Sequence, residues 1–297
     1  MKEINEVPIN WESSGYSVLK NLNASILGVF CEFIDNSIQS HKNKKVEIKE
    51  YDKDYKLKIE IIHDNEEIII KDNAGGINFK DFQRALKPAN RADNTKGLNE
   101  FGLGMKYAAV WISNEWELIS TAIGEEVERH VIFNYHDVVT KNLMKLPTTE
   151  KKVEKSTHYT IVKLRKLETK HTKGYKWSIL NKKIASIYRN FIRNEDEFFS
   201  LWKEESIDLL IDHKPLHWKE SGFLKAQWWK DRQSKILVDS PKRDWKFKFK
   251  WKELSFDEEV LEDDKIVHKK TPVEFSGFVG ILPDGDQKSS NGFTLFR

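Results

Sequence analysis

The sequence predicts an α/β protein, and three observations lead there. Residues 21–41 (NLNASILGVFCEFIDNSIQSH) place Leu27, Phe30, Cys31, Ile34 and Ile38 at helical spacing, which gives one buried helix face. The runs YKLKIEIIH, EEIIIKD, WELISTA, ERHVIFN and HYTIVKL alternate as half-buried strands do. Near residue 170 the texture changes, and a helical run is again followed by strand-like ones.

In chain order, the first two strand-like runs meet around Asp64–Asn65, a hairpin-type turn. DNAGGI follows as a turn, and NFKDFQRAL reads as a short helix with Asn78 as its N-cap. KPANRADNTKGLNEFGLG is a long polar loop containing glycine, and MKYAAVWI starts another helix. Past residue 170, Trp177, Leu180, Ile184, Ile187 and Phe191 recur at helical spacing, ahead of WKFKFKWK and VEFSGFVGIL. A boundary over residues 166–174 divides the chain into domains 1–170 and 171–297. The end at Phe293–Arg297 falls inside a strand-like run, which reads as the N-terminal part of something longer.

Composition narrows the classes. With 297 residues, 12% aromatic content and only 14 Gly and 7 Pro, packed cores are expected rather than disorder. A net charge of +3 neither demands nor excludes a nucleic-acid partner. The single cysteine, Cys31, excludes an intramolecular disulfide framework and fits a reducing compartment. No apolar run is long enough to span a bilayer, and the N-terminus has no signal-peptide core. The expectation is a soluble cytoplasmic protein with no membrane partner.

Three short segments carry the chemistry. Glu32, Asp35, Asn36 and Gln39 share one face of the first helix at spacings i, i+3, i+4 and i+7. A solvated face gives such a stripe, but lysines are absent from it and crowd the chain from Lys42 onward. An amide oxygen such as that of Asn36 suits Mg²⁺, which takes oxygen ligands and few of them from protein. A glutamate such as Glu32 can hold and deprotonate a water. Next, Asp72-Asn73-Ala74-Gly75-Gly76-Ile77 follows the apolar strand residues Ile68–Ile70. A carboxylate there can accept an adenine amino proton, and small residues let a planar base approach the backbone. The same residue types also make an ordinary turn. Third, Gly102-Leu103-Gly104-Met105-Lys106 opens a helix. Free N–H groups at a helix start bind phosphate. A lysine in the first turn is unfavourable unless an anion lies nearby. Neither a P-loop nor a G-x-G-x-x-G fingerprint is present.

In this order and spacing, the three segments resemble the GHKL ATPases, the superfamily of gyrase, the ninety-kilodalton heat-shock chaperone, histidine kinases and MutL. Glu32-Phe33-Ile34-Asp35-Asn36-Ser37 matches its E-x-x-D-N box. Asp72 and Gly76 match its D-x-G-x-G box, with Ala74 for the first glycine, and Gly102-Leu103-Gly104 matches the lid hinge. His158-Tyr159-Thr160-Ile161-Val162 is similar to the last box, with Tyr159 where a glycine is usual. The resemblance covers roughly residues 20–165. It implies a Bergerat-fold sandwich, a mixed and largely antiparallel sheet with helices on one face, followed by a transducer-like α/β domain. It implies ATP with Mg²⁺, Glu32 as general base, Asn36 as metal ligand and Asp72 as adenine anchor supported by Thr160. Gly76 and Ile77 belong to the base pocket, and Gly102, Leu103, Gly104, Met105 and Lys106 to the phosphate side. It also implies an ATP-dependent homodimer. Phe101 to Lys106 looks most like the microrchidia (MORC) branch and its bacterial relatives, whose implied setting is a nucleic-acid clamp or defence against foreign DNA.

In transducer-bearing relatives a lysine reaches the terminal phosphate, and Lys288, in the loop DGDQKSSN, is the candidate here; a solvated loop lysine reads equally well. Residues 214–252 hold twelve Lys/Arg against four acids. Within them Trp245 to Lys252 alternates strictly, giving an aromatic face and a cationic one. That is either a soluble strand guarded by lysines or a surface for nucleic acid. Two other functions stay open. One is a histidine-kinase-like phosphotransfer, for which the roughly thirty residues before Glu32 leave little room. The other is a chaperone-like or protein-interaction scaffold.

Overall fold

The computed structural model describes residues 15–64, 66–86, 104–174, 176–192, 205–218, 228–230, 237–239, 246–262 and 265–280. The chain forms two compact units, Met1–Trp218 and Lys219–Arg297. Among the described residues no helix is long and apolar enough to cross a membrane.

An eight-stranded sheet organises the first unit, in the order β5-β4-β3-β6-β2-β1-β7-β8. Its strands are β1 (Lys58–His63), β2 (Glu67–Asp72), β3 (Ser113–Thr121), β4 (Val127–Asn134), β5 (Thr148–Lys152), β6 (Tyr159–Leu167), β7 (Asp208–Ile211) and β8 (Lys214–Pro215). All neighbours run antiparallel except β1 and β7. The sheet is therefore mixed and largely antiparallel, as the resemblance implied. Alternation along the strands does the sorting. Ile59, Ile61, Ile68, Ile70, Trp116, Leu118, Val162 and Leu164 point into the core. The opposite face carries ion pairs, such as Lys71 with Glu60 at 2.9 Å and Arg165 with both Glu67 and Glu117. A face of that kind needs no helical cover.

The core face is covered by α2 (Ile26–Tyr51) and α4 (Gly104–Ile112). Ser25 caps α2 by accepting from the Gly28 N–H at 3.0 Å. Val29, Phe30, Phe33, Ile34 and Ile38 then face the sheet. The helix runs ten residues past the predicted end at His41. Buried Ile48 and the i,i+3 pair Lys44–Glu47, 2.7 Å, hold that extra length. Asn78 caps α3 (Phe79–Ala85) as predicted, its Oδ1 accepting from Asp81 N–H at 2.9 Å. Two short helices, α1 (Tyr16–Lys20) and α5 (Tyr135–Thr140), flank this layer. Lys20 closes the C-terminal end of α4. Its ammonium donates to Val110 O at 3.0 Å and Ser113 O at 3.1 Å, and pairs with Glu168 at 3.0 Å.

The described residues between 171 and 218 belong to the first unit rather than to a second domain opening near residue 170. After α6 (Thr169–Thr172), the helices α7 (Trp177–Ile187) and α8 (Arg189–Ile192) lead to β7, which extends the sheet by parallel pairing with β1. Leu180 and Ile184 join the same core. Sequence texture marked a change of element type there, not a change of core.

In the second unit the described residues form strands only: β9 (Trp228–Lys230) with β10 (Leu237–Asp239), and a long hairpin of β11 (Lys246–Glu262) with β12 (Lys265–Gly280). A bulge sits between Trp251 and Leu254. The alternating run is thus a strand over residues 246–252.

Candidate functional site

Asp72 is the last residue of β2, and its carboxyl is held on both oxygens. Ser37 Oγ donates to Oδ2 at 2.7 Å, and the Ala74 N–H donates to Oδ1 at 2.9 Å. Burial pushes its pKa up to about 6, against the pull of these hydrogen bonds and of His158. Asp72 stands opposite Thr160 on β6, and Thr160 stands opposite Ser120 on β3. The three form one row across the end of the sheet, on its core face. Ser120 Oγ accepts from the Ile77 N–H at 2.9 Å and donates to Tyr159 O at 2.9 Å. Its one proton is then used, so Thr160 Oγ1, 3.1 Å away, donates to it. The Thr160 side chain therefore serves Ser120, and it is the backbone of Thr160 that bonds to Asp72.

Gly75 and Gly76 lie where nothing larger fits. At Gly76 the backbone is left-handed, φ +68°, and a Cβ would come within 2.9 Å of Ala122 Cα. At Gly75 a Cβ would meet the Lys44 side chain at 2.5 Å. His158 Nδ1 lies 2.9 Å from Ala74 O, which ties β6 to the same turn.

Helix α2 supplies the polar stripe. Glu32 and Asn36 are partly buried, one turn apart. Burial raises the Glu32 pKa above the usual carboxylate value, and the Asp35 charge adds to this. Asp35 is also raised by burial, opposed by a hydrogen bond from Tyr188. Gln39 turns to Asn43 Oδ1 at 3.0 Å.

Helix α4 begins at Gly104, directly against the Glu32 carboxylate: a Cβ at Gly104 would collide with Oε2 and lie 2.9 Å from Cδ. Met105 packs against the core. Lys106 is only 4% exposed. Burial pulls its pKa down to about 8, and the charge of Arg84 contributes. A cation in that position gains most from an anion brought to the helix start.

The structure thus brings together Glu32, Asn36, Asp72, Gly76, Ile77, Gly104, Met105, Lys106 and Thr160 on α2, α4 and one end of the sheet. Gly102, Leu103, the loop 87–100 and Lys288 lie outside the described residues. Ser37, Ser120 and Tyr188 also contribute. Ser37 adjoins the recognised box, whereas Ser120 and Tyr188 are brought in only by pairing and packing.

Residues 24–160 match the family model described as histidine kinase-, DNA gyrase B-, and HSP90-like ATPase. The match is to a GHKL-type ATPase domain; the gathered residues from Glu32 to Thr160 fall within it, and Tyr188 lies beyond it. Among solved structures, the chain is similar to the ATPase region of Saccharomyces cerevisiae topoisomerase II bound to dexrazoxane, at 15% identity and a TM-score of 0.42. That likeness covers 64% of this chain and 48% of the other, so the chain spans about half the length of that protein. No curated protein matches the chain.

Proposed function

We propose that the chain binds ATP with Mg²⁺ and hydrolyses it. One observation carries this reading. Helix α2 touches both halves of the site, Asp72 through Ser37 and the start of α4 through Glu32. The Asp72 carboxylate keeps unused lone pairs for the adenine amino group, and the turn beneath it is built from glycine. Lys106 and the N–H groups at the start of α4 take the phosphates. Glu32, on the same side, accepts a proton from the attacking water.

The donor set fits Mg²⁺. Among the described residues no three His, Cys, Asp or Glu gather into a metal cluster. A metal here takes few protein ligands, as Mg²⁺ does beside phosphates, and Asn36 offers the amide oxygen. Bound there, Mg²⁺ supplies positive charge against the phosphate oxygens. The test is paired. Glu32→Ala should keep ATP and lose turnover by about 10²–10⁴-fold. Asn36→Ala should weaken the Mg²⁺-dependent part of binding. A Glu32→Ala protein that turns over at the wild-type rate overturns the assignment.

The finer reading is an ATP-driven switch. Nucleotide orders the lid over residues 87–100 and promotes a homodimer, and hydrolysis resets both. A MORC-like clamp on nucleic acid, serving in defence against foreign DNA, is the setting we favour. One observation supports it over a protein-interaction scaffold. On the β11–β12 hairpin, Lys246, Lys248 and Lys250 pair with Gly280, Phe278 and Ser276. The acids Asp257, Glu258 and Glu259 pair with Lys270, Lys269 and His268. The acids Asp257, Glu258 and Glu259 therefore each stand opposite a base, and the rungs of Lys246, Lys248 and Lys250 hold no acid, whereas Lys252 falls at the bulge, across from Glu274. Phosphotransfer of the histidine-kinase kind gains no such support.

A further inference from the structure

Outside the matched stretch, one side chain reaches the catalytic face of α2. Tyr188 follows α7 as its C-cap and is 3% exposed. Its hydroxyl lies 2.6 Å from Asp35 Oδ1 and 3.2 Å from Cys31 O. A phenol has one proton, so the shorter contact to the carboxylate takes it and the carbonyl shares it weakly. Cys31 and Asp35 are four apart, one turn of α2. Glu32 and Asn36 are the next residue after each. The phenol therefore closes a bracket over the single turn that carries both proposed functional side chains. The helix that delivers it is itself anchored. Trp177, at the start of α7, packs edge-on against Phe30 with ring centroids 5.8 Å apart, and its ring lies tilted against His63 with centroids 4.0 Å apart.

We propose that Tyr188 is a positioning residue for hydrolysis: by holding Asp35 and Cys31 it fixes the α2 turn that aims Glu32. This rests on the reading of Glu32 as general base. A helix turn needs no outside hydrogen bond to be a helix. A phenol buried on a carboxylate instead sets the rotation and depth of the turn, which is what aiming a neighbouring carboxylate at a water requires. The tie also runs from a helix downstream of the ATPase stretch, so displacement of α7 would reach Glu32 with no change in the nucleotide contacts of Asp72.

Tyr188→Phe removes the hydroxyl and keeps the ring. The expected result is a fall in kcat of about tenfold, in line with a lost hydrogen bond to a charged group, with the KM for ATP unchanged. In an Asp35→Ala background the same substitution should cause no further loss, because the two residues act as one unit. A loss only of folding stability would move kcat and KM together or neither, and would overturn the proposal. Amide hydrogen exchange over Glu32–Asn36 gives a readout that needs no turnover. Exchange no faster in Tyr188→Phe than in the parent overturns the bracket whatever Glu32 does. If Glu32→Ala abolishes turnover and Tyr188→Phe leaves kcat intact, the Glu32 reading stands and this one falls. If Glu32→Ala turns over normally, both fall as catalytic claims.

Discussion

The Glu32 carboxylate rests against Gly104, the first residue of α4, with no room for a Cβ between them. The proposed general base and the proposed phosphate-binding helix are thus in direct contact, and a single methyl tests the contact. Gly104→Ala should stabilise an isolated helix, since alanine has the higher helix propensity. Here the methyl must instead push Glu32 aside. We expect turnover to fall by about 10²-fold, the lower end for losing a general base, while ATP still binds through Asp72. In the Glu32→Ala background the added methyl should cost nothing further. Equal turnover of Gly104→Ala and the parent would show that Glu32 works from another position.

The titration of Asp72 gives a second prediction. Only the ionised carboxylate accepts a hydrogen bond from the adenine amino group on either oxygen, so ATP affinity should fall as the pH drops through about 6. Stability moves the other way. The folded pKa lies above the unfolded value of 3.8, so between those two pH values the folded state holds the extra proton. The nucleotide-free protein should therefore lose stability as pH rises across that window and level off above it. Asp72→Ala should stay folded, lose ATP binding in calorimetry and flatten both profiles. Unchanged ATP affinity in that variant would remove Asp72 from the site.

Much of this site was legible in the chain because its parts are local. The Glu32–Asn36 stripe needs only helical spacing, the Asp72–Gly76 turn only the strand before it, and the Asn78 cap only three residues. What the chain did not announce depends on pairing at long range. Thr160 stands where expected, yet its hydroxyl serves Ser120, a consequence of the β3–β6 register. Tyr188 is 153 residues from Asp35, in a segment assigned beforehand to the other domain. That assignment failed for a related reason. β7 is a four-residue strand whose parallel partner, β1, lies far upstream, and nothing in DLLI names that partner.

Closure of the lid is the third prediction. The sequence over residues 87–100 is polar and contains glycine, from which we propose an active-site cover. A non-hydrolysable ATP analogue with Mg²⁺ should protect it from limited proteolysis and shift the protein towards a dimer in light scattering. Asp72→Ala should show neither change. Identical cleavage patterns with and without the analogue would remove the switch from the proposed cycle and leave a simple nucleotide-binding domain.

Nucleic acid is the last partner to test, through the β11–β12 hairpin. If Lys246, Lys248, Lys250 and Lys252 meet a phosphate backbone, binding should be indifferent to sequence and fall steeply with salt. On duplex DNA the log–log slope is about −0.9 per phosphate neutralised, so four contacts give a slope near −3.6. Changing all four to glutamate should abolish binding while ATP affinity through Asp72 stays intact, since the two sites lie in different compact units. The substitution leaves the aromatic residues Trp245, Phe247, Phe249 and Trp251 unchanged. It also leaves Asp257, Glu258 and Glu259 opposite Lys270, Lys269 and His268 in the strand register. Circular dichroism then separates a folded variant from an unfolded one. A folded quadruple variant that binds DNA as tightly as the parent would make the lysine run a soluble outer face and shift the weight to a protein partner.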